Sequence, residues 1–416
     1  MKKILLIIVI SIFSQNLLAQ QNVGINGNSN WTNLWTNFTP KTTDYKEANE
    51  ILFGNITENK TLYKKNIYLL SGVVCVKNNA ILTIEPGTVI RGDIETVGTL
   101  VITKNSKLIA NGIETDPIVF TSNNEAGNRR AGDWGGIVIY GDAPTNAVGG
   151  FSNLDFLNSS ESGIYGGSNV DSDSGILNFV RIEFAGKRVN SEKQFNALSI
   201  AGVGKKTILN NIQVSFSDDD SFECLGGNVF LNNLVSYRAT DDDFDFTQGT
   251  QATISNSLAL RNPFNSGVEI SRCLEISSYD KKENTDFSKK PTAVLANNLS
   301  LINYEENSNG LVKEAIYIKE SASLKLQNSL VYGFAEGIIL DNKIGVNDEV
   351  AKKIIFDNVE FISCKLVAKF ESLDKELVFN NQTISNLPQT QLFKESSFKK
   401  NVDFRMKTTS SFAYNK

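Results

Sequence analysis

Two acidic segments in the middle of the chain repeat each other at a fixed interval, and this repeat constrains the fold more than any other feature. Phe222 and Glu223 in the first segment correspond to Phe244 and Asp245 in the second, 22 residues later. An interval of this length holds three strands of four or five residues with their turns. Such a unit buries its apolar face only by stacking on its neighbours, so the repeat predicts a solenoid.

A small polar residue followed by an aliphatic residue opens a strand again and again along the central part of the chain. The pairs are Asn211-Ile212, Asn233-Leu234, Ser257-Leu258, Asn298-Leu299, Ser329-Leu330 and Asn358-Val359. Asn tolerates the unusual dihedral angles of a tight corner. We expect the Asn at one corner to bond to the Asn of the next coil, and the alternative is that these side chains contact a ligand.

Alternating apolar and polar residues begin near residue 66, after a polar stretch rich in Asn and Thr. The strand-like segment 81–90 is echoed 18 residues later by segment 99–108. No segment keeps a period of 3.6 residues over the length of a helix. The pattern predicts an all-β parallel β-helix of three-strand coils over residues 66–395. Residues 21–65 are predicted to form a small N-terminal cap over the open end, and 396–416 a C-terminal tail.

Alternation within one coil predicts which side chains face the core. Ile212, Val214 and Phe216 are expected to point to the same side. The cysteines also lie in alternating apolar stretches, which favours buried thiols over a disulfide framework. The four cysteines are Cys75, Cys224, Cys273 and Cys364.

The first 20 residues have the features of a secretory signal. Lys2 and Lys3 precede an apolar run over residues 4–13, and Ala19 offers a small residue before the cut. The run is too short to span a bilayer, and no later segment is longer. The sequence therefore predicts an exported protein in the periplasm, on the outer surface or in the medium, without a membrane span.

Charge and composition exclude several functions. The net charge of −5 and the pI of about 5.2 give no basic footprint for nucleic acid. The chain has no histidine, so Ser-His-Asp catalysis and histidine-ligated zinc are excluded. Any acid–base chemistry must use Asp, Glu, Lys, Arg or Tyr. A capped solenoid needs no partner at its ends, so we expect a monomer.

The chain resembles a family of secreted right-handed parallel β-helix proteins from Bacteroidetes, within the pectin-lyase-like fold. The matching stretches are LTIEPGTVIRGD, GTLVITKNSKLIANGIETDPIVFTS, GDWGGIVIYG, VRIEFAG, VSFSDDDSFECLGG and VSYRATDDDFDF. They cover roughly residues 66–262, with a weaker match beyond. The resemblance implies a right-handed β-helix outside the cytoplasm and leaves the activity open, because a fold does not fix a function.

Two acidic turns in neighbouring coils form the candidate metal site. Its candidate ligands are Asp218, Asp219, Asp220, Glu223, Asp241, Asp242, Asp243 and Asp245. Stacked carboxylates about 4.8 Å apart repel by roughly 3–4 kcal/mol at an effective dielectric near 20. A bound cation, raised pKa values or nearby arginines would offset this repulsion. Oxygen-only ligands favour Ca²⁺.

Two further observations bear on the charge of these turns. Glu269 follows Asp245 by 24 residues and is expected to extend the acidic row, while Arg238 and Arg261, 23 residues apart, are expected to stack beside it. The structural alternative to a metal site is that the aspartates cap turn amides and are otherwise solvated.

Two functions fit this sequence. The first is an exported non-enzymatic solenoid that binds a polysaccharide or a cell-surface glycan, with Trp134 as one candidate sugar contact. The alternative is a polysaccharide lyase or hydrolase, because the pectin-lyase-like fold includes lyases with Ca²⁺-bound carboxylates and a Lys or Arg base, and hydrolases with paired acids. The candidate catalytic residues in that case are Asp219, Asp220, Asp241, Asp242, Arg238 and Arg261. The missing histidine removes the Gly-His-Gly element of the hydrolase branch, which favours the first function.

Overall fold

The computed structural model describes residues 23–154, 163–190, 193–264, 270–304, 311–344, 352–377, 382–398 and 401–407. The predicted signal at 1–20, Glu269 and the last nine residues of the predicted tail lie outside these ranges.

Three parallel sheets wind around one apolar core and form a right-handed parallel β-helix, as the sequence predicts. One coil shows the path: Ile81–Ile84 lies in the first sheet, Val89–Gly92 in the second and Thr99–Ile102 in the third. The chain then returns to the first sheet, where Lys107–Asn111 pairs in parallel with Ile81–Ile84. Several longer strands bend at a corner and contribute to two sheets.

The strands of the solenoid follow one another closely along the chain. They are Glu50–Ile56, Lys60–Leu62, Ile67–Val76, Ile81–Ile84, Val89–Gly92, Thr99–Ile102, Lys107–Asn111, Ile118–Ser122, Gly136–Tyr140, Gly175–Glu183, Leu198–Ala201, Ile208–Ser215, Phe222–Leu225, Asn228–Tyr237, Phe244–Thr247, Gln251–Ser255, Leu258–Arg261, Leu274–Ile276, Ala293–Asn297, Ser300–Asn303, Glu314–Ile318, Ser323–Tyr332, Glu336–Leu340, Ile354–Ile362, Leu366–Phe370, Leu373–Glu376 and Gln382–Ser385.

Short elements decorate this body. Two antiparallel pairs join Ser152–Asn153 to Ile164–Tyr165 and Phe393–Glu395 to Asp403–Met406. The helical turns are Pro40–Thr42, Val148–Gly150, Lys282–Asn284, Asn342–Ile344 and Gln389–Leu392. Within the described ranges, no helix has the length and hydropathy needed to cross a membrane.

Alternate side chains along each strand fill the interior. Ile212 and Val214 are fully buried in the main core, beside the aligned Val180 and Ile182 of the preceding coil. Phe216 lies on the outside instead, so its predicted direction is wrong. The reason is its φ of 56°, which turns the chain out of the strand at that residue.

The cysteines are unpaired, as their apolar surroundings suggest. Cys75, Cys224 and Cys273 are buried, and the half-buried Cys364 packs against the main core.

The 18-residue echo near the N-terminus does not correspond to one coil. Leu82 pairs with Leu108 and Ile90 with Phe120, which are 26 and 30 residues later. The echo compares a strand of the first sheet with one of the third. Central coils do keep the predicted spacing, since Phe222 pairs with Phe244.

Asparagines stack at the corner between the first and second sheets, and this confirms the predicted ladder. The Asn233 amide donates to Asn211 at 3.0 Å, and the Asn256 amide donates to Asn233 at 2.8 Å. Residues 211, 233 and 256 all have positive φ values near 50°, the left-handed region that Asn tolerates. The corner asparagines are therefore structural.

Residues 23–43 do not form a cap. They run lengthwise along the outer face of the second sheet, and we call this segment the strap. The Gly24 amide donates to the Asn328 carbonyl at 2.8 Å, and the Asn37 amide donates to Gln213 Oε1 at 2.7 Å. The strap thus passes from a late coil to an early one before the solenoid starts.

An apolar outer face explains the strap. Residues of the second sheet such as Tyr237, Leu260 and Tyr332 point outward, and the strap covers them with Ile25 and the fully buried Trp35. Covering this area removes apolar surface from water, at about 25 cal/mol per Å².

Two domain boundaries change as a result. The solenoid begins at Glu50–Ile56, inside the stretch predicted as a cap. The predicted tail also contains structure, because Asp403–Met406 forms a strand and Phe404 is buried against the second sheet's outer cluster.

Candidate functional site

The two acidic turns stack directly above one another between the second and third sheets. The backbone N–H of Asp242 donates to Asp220 Oδ1 at 2.9 Å, and the N–H of Arg272 donates to Asp242 Oδ1. The N–H of Asp220 itself donates to Asn196 Oδ1 at 3.2 Å. Asp220 and Asp242 therefore each cap the turn of the next coil, as the structural alternative expects.

Asp243 is neutralised inside the protein. Its Oδ2 lies 3.1 Å from Arg261 Nη1, both side chains are completely buried, and Ser236 donates to Oδ1. Arg261 also donates to the carbonyls of Asp241 and Arg272. Burial raises the pKa of Asp243, and Arg261 opposes this rise.

Arg261 is accordingly not a catalytic base, and that assignment is wrong. A guanidinium at 0% exposure with four acceptors cannot reach a polymer. Arg238 lies in the turn of the preceding coil, and its guanidinium sits over the rings of Phe216 and Tyr237, at 6.0 and 5.4 Å from their centroids.

Five carboxylates converge where these turns enter the third sheet. We call Asp219, Asp220, Glu223, Asp241 and Asp245 the acidic cluster. One ligand oxygen from each of Asp219, Asp220 and Asp241 lies within 4.8 Å of the other two, and the same holds for Asp220, Glu223 and Asp245. Asp220 belongs to both groups. Asp218, Asp242 and Asp243 belong to neither.

Strand register creates the second of these groups. Glu223 and Asp245 are aligned neighbours in the third sheet, and both point outward because the aromatic residues beside them fill the core. The rings of Phe222 and Phe244 stack with centroids 5.3 Å apart. Parallel in-register pairing thus places the two carboxylates about one strand spacing apart.

Four members of the acidic cluster have no salt-bridge partner among the described residues. Asp219, Asp220, Glu223 and Asp245 form no salt bridge with any residue in the described parts of the chain. Glu223 accepts a hydrogen bond from the Asn196 amide at 2.5 Å. Four carboxylates are therefore held close together without a salt bridge, and the nearest cations, Arg188 and Lys319, offset only part of the rise in the pKa values of Asp219 and Asp245.

Burial and mutual repulsion shift the pKa values of the cluster strongly upward. Burial raises the pKa of Asp219 to about 8, and the Asp241 carboxylate adds to the rise. Burial and the adjacent Asp245 raise the pKa of Glu223 to about 8 as well. The pKa values of Asp220 and Asp245 are also well above the usual range, chiefly because of burial. Burial and repulsion therefore favour the protonated forms of these four carboxyls at neutral pH when no cation is bound.

Glu275 occupies the next place in the acidic row. It aligns with Asp245 in register, so the assignment of that place to Glu269 is wrong. Unlike the cluster, Glu275 is neutralised, by Arg272 at 2.7 Å and by Lys319. Arg272 also contacts Glu314 at 2.9 Å.

Arg272, Glu275 and Lys319 were not among the residues predicted from sequence. A signal was present in the short segment Leu274–Ile276, where an acid stands between two aliphatic residues as it does in Phe222–Leu225 and Phe244–Thr247. The segment between Arg261 and Arg272 lengthens this coil, so the spacing between Asp245 and Glu275 differs from the 22 residues of the preceding coil.

Two other predicted contacts fall outside the cluster. Asp218 accepts from the Gln194 amide at 3.3 Å on the far side of its turn. Trp134 is fully buried, stacks on Phe120 and donates to the Glu183 carbonyl at 2.8 Å. Trp134 is therefore a core residue and no sugar platform.

The cluster satisfies the elementary requirements of a Ca²⁺ site. Ca²⁺ binds oxygens at about 2.3–2.6 Å, so two oxygens on one ion lie at most about 5 Å apart. Both groups of three meet that limit, with oxygens within 4.8 Å. All donors are carboxylate oxygens, which a hard cation prefers.

Comparison with known proteins agrees with the architecture. Residues 54–402 match the family model of the pectate-lyase-like β-helix domain, so the chain belongs to that family. No curated protein matches the chain, and no solved structure matches it.

Proposed function

We propose that this chain is an exported β-helix protein that binds Ca²⁺ at the acidic cluster and, through the ion, a carbohydrate. The observation that carries the proposal is the pair of overlapping carboxylate groups, in which Asp219, Asp220, Glu223 and Asp245 form no salt bridge within the described chain. Ca²⁺ takes six to eight ligands. Three carboxylates leave coordination positions that sugar hydroxyl or carboxylate oxygens can fill.

The cationic side chains next to the cluster are better suited to ligand binding than to base catalysis. Burial lowers the pKa of Lys319, but Glu275 more than offsets this, so the net pKa is raised and the ammonium is retained. Arg272 is held by Glu275 and Glu314. Because both groups keep their protons, they suit contacts with an anionic sugar better than abstraction of a proton from it.

Export is part of the proposal and rests on the N-terminal sequence, with Lys2 and Lys3 before the apolar run at 4–13. Mass spectrometry of the protein recovered from the producing cells would find the mature N-terminus close to residue 20. An intact N-terminus on all of the protein would contradict export.

Calorimetric titration with Ca²⁺ tests the metal site. We expect saturable binding to the wild type, and stabilisation by about 2.7 kcal/mol at 100 times the Kd. The double variant Asp241→Asn/Glu223→Gln removes one charge from each group and is expected to lose binding. Asp218→Asn is the matched control, since it lies in the same turn and in neither group. An unchanged titration in the double variant would remove the proposal.

Carbohydrate binding is tested with the same proteins. Affinity electrophoresis in gels that contain polygalacturonate or neutral glucans should show retardation in Ca²⁺ that EDTA abolishes. Retardation that persists in EDTA and in the double variant would place the sugar elsewhere.

A second candidate function is polysaccharide hydrolysis. The observation that favours it is the raised pKa of Asp219, about 8, because a carboxyl that stays protonated at neutral pH can serve as the general acid of a glycosidase. Reducing ends would then accumulate with time, and Asp219→Asn would stop their release. Release of unsaturated products instead would indicate a lyase.

A further inference from the structure

Among the described residues, the outer face of the first sheet is more exposed than those of the second sheet and of the early coils of the third. The strap and the C-terminal strand pair cover much of the second sheet. Residues around Tyr140 and Tyr165 cover the early coils of the third sheet, beside the acidic cluster. On the first sheet, large apolar side chains remain exposed to water.

These exposed side chains form a row along the solenoid axis. Phe230 pairs with Thr253, Thr253 with Leu295, and Leu295 with Lys325, which in turn aligns with Ile355. Phe230, Leu295 and Ile355 are 51%, 37% and 43% exposed. Parallel register therefore builds a ridge in which three exposed apolar side chains alternate with Thr253 and Lys325.

A groove of about 510 Å³ follows this ridge. Four of its lining residues are lysines, namely Lys205, Lys325, Lys352 and Lys353. No Asp or Glu is among its described lining residues, although the whole chain carries a net charge of −5. Lys205 and Lys325 are exposed, so the described lining is locally positive on an acidic protein, and its occupant is expected to be anionic.

The groove also has the shape of a track rather than a pit. It crosses the first-sheet portions of five successive coils. At about 4.8 Å per strand, its two ends are about 19 Å apart. Asn228, Gln251 and Ser323 add polar contacts along it. An extended polymer matches this outline.

We propose that this groove binds an acidic polysaccharide independently of Ca²⁺. The C–H faces of sugar rings would pack on Phe230 and Leu295, while Lys205 and Lys325 would pair with carboxylate or sulfate groups. This site is separate from the acidic cluster and does not rest on the function proposed for it.

A peptide is a weaker fit to the same surface. Extended peptides gain affinity by adding a strand to an open sheet edge. Here four of the five strands at the groove, all except the last, already pair with neighbours on both sides, so a peptide would leave its own backbone groups to water along most of the groove. A polysaccharide brings no such row of amides.

The test measures binding in EDTA, so that any Ca²⁺ site is empty. The probes are sodium polygalacturonate, sulfated dextran, neutral dextran and poly-glutamate, each titrated by calorimetry or light scattering. We expect one or both anionic polysaccharides to bind, with affinity that falls as salt rises. The two anionic probes distinguish carboxylate from sulfate recognition.

Two variants with matched controls assign the binding to the groove. Lys205→Gln/Lys325→Gln removes two exposed charges and is expected to weaken binding about tenfold, whereas Lys282→Gln on an exposed loop should leave it unchanged. Phe230→Ala is expected to weaken binding about fivefold, and Phe53→Ala, also exposed, serves as its control.

Clear results would overturn the proposal. Equal affinity for neutral dextran, tighter binding of poly-glutamate, or unchanged polysaccharide affinity in both groove variants would each do so. If no polysaccharide bound in EDTA, the proposal for the groove would also fail. That result would leave the Ca²⁺ titration of the acidic cluster unaffected.

Discussion

Asp243 and Asp245 lie two residues apart in the same acidic turn, yet the protein treats their charges in opposite ways. Asp243 points inward and meets Arg261, and both side chains are fully buried. Asp245 points outward beside Glu223 and forms no salt bridge within the described chain. The next acid of the outward row, Glu275, does have partners in the fold, Arg272 and Lys319. In the proposed function, the outward charges without a partner in the fold are kept for a cation from outside.

Stacking explains why the outward charges are costly. Parallel register repeats a side chain at about one strand spacing, so an acid in one coil meets the acid of the next. At about 4.8 Å and an effective dielectric near 20, each such pair opposes folding by about 3–4 kcal/mol before screening. Protons or a cation relieve this repulsion, which is the basis of the following predictions.

The largest expected effect is on stability, and it comes from removing the cation that neutralises Asp243. Arg261→Met leaves Asp243 buried without its cation and is expected to lower the free energy of unfolding by about 3–5 kcal/mol. Denaturant unfolding in EDTA measures the change. The control is Arg238→Met at the equivalent place of the preceding coil, with an expected loss of about 1 kcal/mol. Equal losses in the two variants would contradict the special role of the Asp243 pair.

The next effect concerns pH and the outward carboxylates. Ca²⁺ must displace protons from groups with pKa values of about 8, Asp219 and Glu223. Affinity for Ca²⁺ is therefore expected to rise about tenfold per pH unit between pH 6 and 8 for each proton released. Titrations at several pH values measure the slope. An affinity that is flat over this range would show that the cluster is already ionised.

Without Ca²⁺, the stability of the protein is expected to fall as pH rises, whereas the affinity for Ca²⁺ rises. The folded state binds more protons than the unfolded state between the ordinary carboxyl pKa near 4 and the raised value of about 8. Stability in EDTA is therefore greatest below pH 4 with respect to these groups and falls as pH rises to 8. Thermal melts with and without Ca²⁺ should diverge progressively over this window.

Removal of one outward charge should act in the opposite direction to Arg261→Met. Asp245→Asn is expected to raise the free energy of unfolding in EDTA by about 1–2 kcal/mol at pH 8, because it removes repulsion with Glu223. The same variant should respond less to Ca²⁺. Asp218→Asn, outside both carboxylate groups, is expected to change neither quantity. Destabilisation by Asp245→Asn would mean that its charge has a partner in the fold.

Much of this architecture could be predicted from sequence because repeated local patterns determine it. The 22-residue interval between Glu223 and Asp245 sets their register, and the corner asparagines mark the positions of the bends in the sequence. The stacked acids follow directly from these two facts. A three-strand coil has little freedom once its corners and its apolar alternation are fixed.

The remaining features depend on contacts between distant residues and have no periodic signal. The strap reaches Asn328 from Gly24 across more than 300 residues. The inward direction of Arg261 results from its place at the end of a second-sheet strand, where the turn carbonyls converge on it. An excursion of irregular length before Arg272 moved Glu275, rather than Glu269, into the acidic row.

The asparagine corner between the first and second sheets gives the smallest expected effect on stability and serves as an uncharged control for the acidic turns. There the stacked side chains are neutral amides, and Asn233 donates to Asn211 while accepting from Asn256. Asn233→Gly keeps the positive φ available but loses both bonds, so we expect a loss of about 1 kcal/mol. This loss should be independent of pH and Ca²⁺, because no charge is involved. If it varied with pH as the acidic turns do, the energetic difference between neutral and charged ladders would not be electrostatic.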